Sequence, residues 1–451
     1  MIIVLITLLV LMIAGYLIKK KVEIKWVMFF SGILLMICAI FLHIPLLTEE
    51  KSSGVPFFDL FKLIGEVFTK QLTGASFILM LLFGYTAFMR EIGANQMTVY
   101  LFSRPLSRLK YKALLIPFFY LIGNVLGLMI PSASSLSVLL MTTAYPILVS
   151  AGVSPLSVGA VIAMAATIAP TPLGADNILA ADALSMDVGT YVFDYHAKVS
   201  LPVILILAVI HFFWQRFCDK REQASGFSFK SEIIESGVGA TCVPRFYAIL
   251  PMLPLIILII FNVILKKVNV GMVEVTLCSF VLAILCEVIR KRSIQHGFES
   301  VQCFFDGMGV GLTTVVIQVI AAMTFVEGLK VIGVIDFLTG EIHQLAGASF
   351  ILMLFFCLLA LGIGLLSGSG LALFYACVEL MPSFAPFVNP LMLAIPMQFV
   401  SHLVKSISPV SPTVIIISSM LKVAPYRLVK RTIVPSIIGM ILSMLLSYLL
   451  F

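Results

Sequence analysis

Two ionisable residues and four interrupted stretches hold the chemistry available to this chain. Lys405 lies one turn before SPVSPT (Ser408 to Thr413), with His402 nearby on the same segment, and Asp176 lies within APTPLGADN (Ala169 to Asn177). The other interruptions are Ser132-Ala133-Ser134-Ser135 and Ser367-Gly368-Ser369-Gly370. All four sit inside apolar runs, where proline, glycine and charge break a helix or strand a charge in hydrocarbon. A charge at a helix centre costs roughly 2.5–3.5 kcal/mol, so such a residue points to function. Broken backbone at that depth survives only where protein or a water-filled cavity satisfies its free amides and carbonyls. Half-helix N-termini favour an anion by ~0.3–1 kcal/mol each. Hydroxyls add donors and glycine lets a ligand approach the backbone.

This arrangement suits a small carboxylate. The residues expected to bind it are Ser132, Ser134, Ser135, Thr171, Asn177, Ser367, Gly368, Ser369, Gly370, Lys405, Ser408, Ser411 and Thr413. The structural alternative is that Ser and Gly only allow close helix packing or kinks. Lys405 could pair with a substrate carboxylate or with Asp176. Asp176 could bind a coupling cation, carry a proton, or only neutralise Lys405. His402 reads as a packing or hydrogen-bonded residue rather than a proton carrier. Lys198 and Arg431 read as interfacial anchors, and Glu327, Glu379 and Asn124 carry no functional reading.

The elements that must position these groups are membrane helices. The chain is 61% hydrophobic and 11% charged, with a mean hydropathy of +1.14, far outside the range of soluble domains. It reads as an all-α polytopic membrane protein. Ile2 to Ile18 reads as a retained first span, because the lysines follow it rather than precede it. The eight cysteines show no C-x-x-C spacing and read as small hydrophobes. No metal site or cofactor follows, and the net charge of +7 reflects basic cytoplasmic loops rather than a nucleic-acid partner.

Hydropathy gives ten segments long enough to cross ~30 Å of hydrocarbon, plus two interrupted stretches. Basic clusters around Lys19–Lys25, Arg90–Lys112, Arg216–Arg245, Arg290–Arg292 and Lys422–Arg431 hold 21 of the 29 Lys and Arg, all on one face if the N-terminus starts outside. Seven fall on the other face: Lys51, Lys62, Lys70, Lys198, Lys266, Lys267 and Lys330. The majority face is cytoplasmic by the positive-inside rule, which puts both termini outside.

The chain also repeats. Residues 1–217 form a first half, 218–245 a polar cytoplasmic linker and 246–451 a second half. In each half two crossings precede an amphipathic stretch, FFDLFKLIGEVFTK or RSIQHGFESVQCFFDG. In the first of these Asp59, Lys62, Glu66 and Lys70 share a polar stripe opposite Phe57, Leu60, Phe61, Ile64 and Phe68. Both stretches are expected to lie in the membrane interface. A third crossing follows, then LGLMIPSASSLSVLLM aligned with LGIGLLSGSGLALFYA, then APTPLGADN aligned with SPVSPT, and then a last crossing. The Ser-rich segments are assigned as re-entrant hairpins, about 111–150 and 347–382, and the Pro-rich ones as broken crossings. Five crossings per half invert the halves, the pattern of secondary transporters with a mid-membrane site.

The strings REIGANQM, HFFWQRFCDK, FYAILPMLPLI, GSGLALFYACVELMP, SPVSPT and PYRLVKRTIVP resemble the C-type Dcu carriers, the anaerobic C4-dicarboxylate transporters, over nearly the whole chain. The resemblance implies exchange or export of succinate, fumarate and malate across a bacterial inner membrane. It further implies the elevator-type fold of the wider ion-transporter superfamily, and it matches Lys405 to the family's basic residue ahead of the Ser-Pro break. Around Asp176 this chain is longer than the family form. The expectation is therefore a secondary carrier, not an enzyme, with small dicarboxylate anions, a coupling proton or sodium, membrane lipids and a second copy as partners. The alternative substrate on the same architecture is a gluconate-like or monocarboxylate anion. A membrane-embedded enzyme would need clustered ligands such as D-D-x-x-D or H-E-x-x-H, and neither these nor a nucleotide-binding loop occurs.

Overall fold

The computed structural model describes residues 2–104, 114–130, 132–165, 167–224, 243–261, 270–335, 337 and 348–451. Most of the expected linker lies outside these residues, as do Arg108, Lys110, Lys112, Lys230, Lys266 and Lys267. Among the described residues nine helices are long and apolar enough to cross a membrane, and a bent pair adds a tenth. With these helices and large apolar side chains exposed along most of them, the protein is a multi-pass membrane protein.

The first half begins with α1 (Ile2–Lys19) and α2 (Ile24–Phe41). Next come α3 (Pro56–Thr73) and α4 (Ala75–Glu91), which bend by 47° at Gly74. The short α5 (Ala94–Ser103) leads to α6 (Leu115–Gly127) and α7 (Ala133–Ser150). α8 (Pro155–Met164) and α9 (Ala175–Ala183) flank the APTPLGADN break, and a π-helical turn, Thr190–His196, runs into α10 (Ala197–Ala224). The second half has a 3-10 turn (Arg245–Met252), α11 (Leu253–Leu258), α12 (Met272–Lys291) and α13 (Ile294–Glu299). α14 (Gln302–Gly311) continues through a π turn into α15 (Ile317–Val331). α16 (Ala348–Ser367), α17 (Leu371–Val378), α18 (Pro390–Ile407), α19 (Pro412–Met420) and α20 (Pro425–Leu450) complete it.

Length separates crossing helices from half-helices. At about 1.5 Å per residue, α8, α9, α17 and α19 each reach only about half of the ~30 Å hydrocarbon layer. Helices break at or beside each interruption expected from the sequence: 128–130 and 132, 165 and 167–174, 368–370, and 408–411. At the first, Ala133, Ser134 and Ser135 already belong to α7, so the break precedes them. The arms around the Ser-rich breaks differ between halves, with 13 and 18 residues in the first and 20 and 8 in the second.

α8 and α18 are the most enclosed elements. Every residue from Leu156 to Met164 is buried, as are 15 of the 18 in α18. α8 is apolar nearly all round, which is what a helix surrounded by other helices requires, while α18 is apolar except for one polar stripe. Around them α7 packs on α19 and α9 packs on α17, while α10 packs along α20. A second set of contacts joins α2 to α15 and α4 to α14. Small residues set these crossings: a Cβ added at Gly328 would stand 2.6 Å from the Gly32 carbonyl oxygen, and one at Gly307 would stand 2.8 Å from that of Phe83. Lipid gives helices no hydrophobic reason to associate, so close backbone approach of this kind holds them together.

The structure corrects three sequence readings. On α3 Asp59 is buried, accepting from the Ser53 backbone N–H and the Ser52 and Ser53 hydroxyls at 2.6 Å, while Phe57, Phe58 and Phe61 point outward. The helix therefore buries Leu60, Leu63 and Val67 and turns its aromatics to the surroundings. In the second half the amphipathic stretch is split: Gln302 and Asp306 open the long α14–α15 helix and bond each other at 2.9 Å. Arg431 is not an interfacial anchor. It is 2% exposed and pairs at 2.7 Å with both Asp219 and Glu222 of α10.

Candidate functional site

The first break is held by its own side chains. α8 ends at Met164, several residues before Pro170, so the prolines follow the end of the half-helix rather than cause it. The Thr167 hydroxyl donates to the Met164 carbonyl at 2.7 Å and that of Thr171 to the Leu128 carbonyl at 2.8 Å. The Asn177 amide donates to the carbonyls of Ala169 at 3.2 Å and Thr171 at 2.8 Å. These bonds replace the water that a broken helix would otherwise need in hydrocarbon. Gly174 has ordinary extended dihedrals, φ −77° and ψ 129°. Its role is space, since a Cβ there would stand 3.0 Å from both Asn177 Nδ2 and Asp176 Oδ1. Asp176 occupies the first turn of α9, where the helix dipole favours a negative charge.

Facing this break is one stripe of α18. Gln398, Ser401, His402 and Lys405 recur at the spacing that places side chains on one helical face. Gln398 Nε2 donates to Asp176 Oδ2, and to Asn177 Oδ1 at 2.7 Å. His402 Nε2 lies 2.8 Å from Asp176 Oδ2. Lys405 Nζ lies 3.3 Å from His402 Nδ1. Lys405 therefore meets Asp176 through His402, so the direct pair open in the sequence gives way to a three-residue chain. An ammonium group can only donate, which makes Nδ1 of His402 the acceptor and leaves its Nε2–H for Asp176. The chain is neutral overall, with one cation and one anion held apart by an imidazole.

A narrow cavity opens beside this chain, lined by Thr167, Thr171, Asp176, His196, Gln398 and His402. Its free space of about 20 Å³ holds about one water. His196 is 2% exposed, its ring packs 5.1 Å from that of Phe399, and its Nδ1 has no hydrogen-bond partner among the described residues.

The second break forms a separate group. The Ser408 hydroxyl donates to the Leu365 carbonyl at 2.9 Å. Gly368, at φ +84°, lies so close to the break that a Cβ would stand 2.9 Å from Ser411 Cα and 3.0 Å from the Val410 carbonyl oxygen. Gly370 packs in the same way against Ser401. Ser411 Oγ and Ser401 Oγ are buried and without a partner among the described residues. Ser134 Oγ lies 3.4 Å from Thr413 Oγ1, which joins the first Ser-rich break to the second Pro-rich one.

The predicted site residues thus fall into two groups. Thr171, Asp176, Asn177 and Lys405 gather around the first break and the α18 stripe. Gly368, Gly370, Ser408 and Ser411 gather at the second, and Ser134 meets Thr413. Ser132 bonds Ser135 at 3.0 Å, while the Ser367 hydroxyl turns back to the Ile363 and Ser369 carbonyls, so these serines, with Ser369, are engaged locally. Sequence reasoning missed Gln398, Tyr191 and His196. The polar stripe of α18 was a readable signal for Gln398; Tyr191 and His196 sit on a π-helical turn, a feature common at functional sites but without a sequence mark.

Comparison with known proteins bears on the family and the fold. The chain aligns with the anaerobic C4-dicarboxylate transporter DcuC of Escherichia coli K12 at 33% identity over 441 residues, 97% of this chain and 94% of the relative. The probable anaerobic C4-dicarboxylate transporter DcuC of Vibrio cholerae matches at 33% over 433 residues, 95% of this chain and 93% of the relative. The solved structure of MtrF from Neisseria gonorrhoeae, described as one of a class of antimetabolite efflux pumps, superposes with a TM-score of 0.56 at 12% identity, covering 88% of this chain and 84% of that one. That likeness concerns the fold alone. The relatives are transporters rather than enzymes, and the family model for the C4-dicarboxylate anaerobic carrier matches residues 3–451, so the chain belongs to the DcuC family.

Proposed function

We propose that the protein is a secondary carrier of C4-dicarboxylates such as succinate, fumarate and malate, working by exchange or by cation coupling. The observation that carries this reading is the Lys405–His402–Asp176 chain, which brings a half-buried cation and a half-buried anion to a broken helix among the spans. Holding such a pair away from bulk water inside a membrane protein costs free energy, and a carrier has a use for it. Lys405 offers a charge to a substrate carboxylate, and Asp176 offers one to a coupling proton or sodium ion. The buried hydroxyls of Ser401 and Ser411 supply further donors, with Ser134, Thr413 and the glycine-lined backbone of the second break beside them. The cavity is smaller than a four-carbon diacid, so substrate entry requires the α9 and α18 side chains to separate.

The architecture we infer is two inverted repeats, 1–217 and 246–451, each of five crossings with a hairpin about 111–150 or 347–382, joined by the linker 218–245. Reciprocal contacts support it: α7 of the first half meets α19 of the second, and α9 of the first meets α17 of the second. The glycine-tight α2–α15 and α4–α14 contacts suit a scaffold, with the helices around α8 and α18 as the part that moves in an elevator cycle. The bacterial inner membrane as location, both termini outside, a homodimer and lipid contact along the outward Phe57, Phe58 and Phe61 complete the reading.

The test is exchange in proteoliposomes. Vesicles loaded with unlabelled succinate should take up labelled fumarate well above empty vesicles; uptake equal to that of empty vesicles rejects the proposal.

A further inference from the structure

We propose that Gln398 is a positioning residue of the transport site, holding the Asp176 carboxylate and the Asn177 amide of the first break against the face of α18 that carries His402 and Lys405, with Tyr191 setting its orientation. The proposal rests on the carrier function proposed above.

The hydrogen bonds leave one arrangement of these amides. Tyr191 O–H lies 2.6 Å from Gln398 Oε1, and since an amide oxygen carries no proton, the phenol donates. The Gln398 Nε2 group then has two N–H bonds to give, and Asp176 Oδ2 and Asn177 Oδ1 receive them. Asn177 spends its own two N–H bonds on the Ala169 and Thr171 carbonyls, so only its oxygen is left for Gln398. Turning Gln398 over would set its oxygen against the oxygens of Asp176 and Asn177, and turning Asn177 over would set donor against donor at Gln398 and acceptor against acceptor at the two carbonyls. Gln398 and Asn177 are each 1% exposed and Tyr191 is 0% exposed, so bulk water does not reach these amides to repair a flip. A buried polar network that is fully satisfied fixes a single geometry, and one that is half satisfied is costly.

Two donor chains therefore converge on one oxygen. Lys405 and His402 lead to Asp176 Oδ2 from one side, and Tyr191 and Gln398 lead to it from the other. The Tyr191 arm starts on the π-helical turn ahead of α10, and its hydrogen bonds reach Asp176 on α9 through Gln398 of α18. Asp176 is thus placed by the second half of the chain although it belongs to the first. Gln398 needs an acceptor at all times, so whatever draws Asp176 away must leave another in its place, and a substrate carboxylate oxygen meets that need.

The experiment compares Gln398→Glu, Gln398→Ala and Tyr191→Phe with the wild type and with the control Lys20→Ala, in succinate exchange at equal pH on both sides of the vesicle. At about pH 7.5 Gln398→Glu sets two carboxylates against each other, and exchange should fall about tenfold or more. At about pH 5.5 a shared proton turns one carboxyl into an O–H donor, and exchange should recover to within about threefold of the wild type at the same pH. Gln398→Ala should stay low at both, and Tyr191→Phe should fall about three- to tenfold because the amide loses the group that orients it. His402, Lys405, His196, Tyr191 and Tyr375 are the ionisable side chains around this carboxylate, so each variant is read against the wild type at each pH. Exchange by Gln398→Glu equal to the wild type at the higher pH, or lowered equally at both, overturns the proposal. Thermal unfolding of the purified proteins decides the matter even if the wild type exchanges nothing, which would reject the carrier reading alone. The Gln398→Glu deficit in melting temperature should shrink as the pH falls, and a constant deficit or none overturns the positioning role.

Discussion

His402 Nε2 stands 2.8 Å from Asp176 Oδ2, and this contact joins α18 of the second half to α9 of the first across 226 residues of chain. The two residues flank different breaks, so neither is placed by its own interruption alone. Lys405 on the far side of the imidazole gives the pair its cation. The three side chains are the point where charge, broken backbone and a cavity coincide.

Removing the cation should weaken substrate binding. Lys405→Ala is expected to raise the apparent KM for succinate exchange about tenfold or more, equivalent to about 1.4 kcal/mol or above. Lys20→Ala, at the end of α1, should leave it unchanged. Equal effects of the two would reduce Lys405 to a structural role.

Neutralising the anion should separate coupling from exchange. In Asp176→Asn, dicarboxylate exchange should persist while stimulation by an imposed proton or sodium gradient disappears. Uptake that still follows the gradient would show that the coupling ion is held elsewhere.

The second break should be intolerant of a single methyl group. Gly368→Ala combines φ +84° with a Cβ that would sit 2.9 Å from Ser411 Cα. The left-handed conformation alone costs about 1–2 kcal/mol for a non-glycine residue, and the overlap is with backbone that cannot swing aside. Transport should fall steeply and the melting temperature should drop. Gly362→Ala, where nothing lies within 4 Å, should do neither.

Arg431 should matter for stability rather than for substrate. Besides its two carboxylates it donates to Ser157 of α8 at 3.2 Å, tying three helices together. Arg431→Met leaves Asp219 and Glu222 without that cation. The loss should approach the low end of the ~3–5 kcal/mol seen when one partner of a buried pair is removed, because both carboxylates are partly exposed. Thermal unfolding of the purified protein reads this directly, against Arg216→Ala as a surface control.

Much of this was legible in the sequence because it is written in local signals. Apolar runs of fixed length mark spans, and Pro, Gly and Ser inside them mark breaks, so the four interruptions and the crossing helices around them were readable from composition and spacing. Lys405 and Asp176 stood out because charge is costly in that setting. What was not legible depends on which distant elements touch. Arg431 lies near a helix end and reads as an anchor; only the packing of α20 along α10 supplies its two carboxylates. Asp59 fits a polar stripe by periodicity, yet Ser52 and Ser53 in the preceding loop draw it inward. The helical spacing of Gln398 with His402 and Lys405 marks its face, but its orientation and the part played by Tyr191 follow from hydrogen-bond direction, which no spacing encodes.

The central claim is that this chain exchanges C4-dicarboxylates through the site at Asp176, His402 and Lys405. The most direct measurement is labelled fumarate uptake into proteoliposomes preloaded with unlabelled succinate, with wild-type protein and Lys405→Ala side by side. The account predicts strong uptake by the wild type and a large loss of apparent affinity in the variant. Wild-type uptake no greater than that of protein-free vesicles would contradict it.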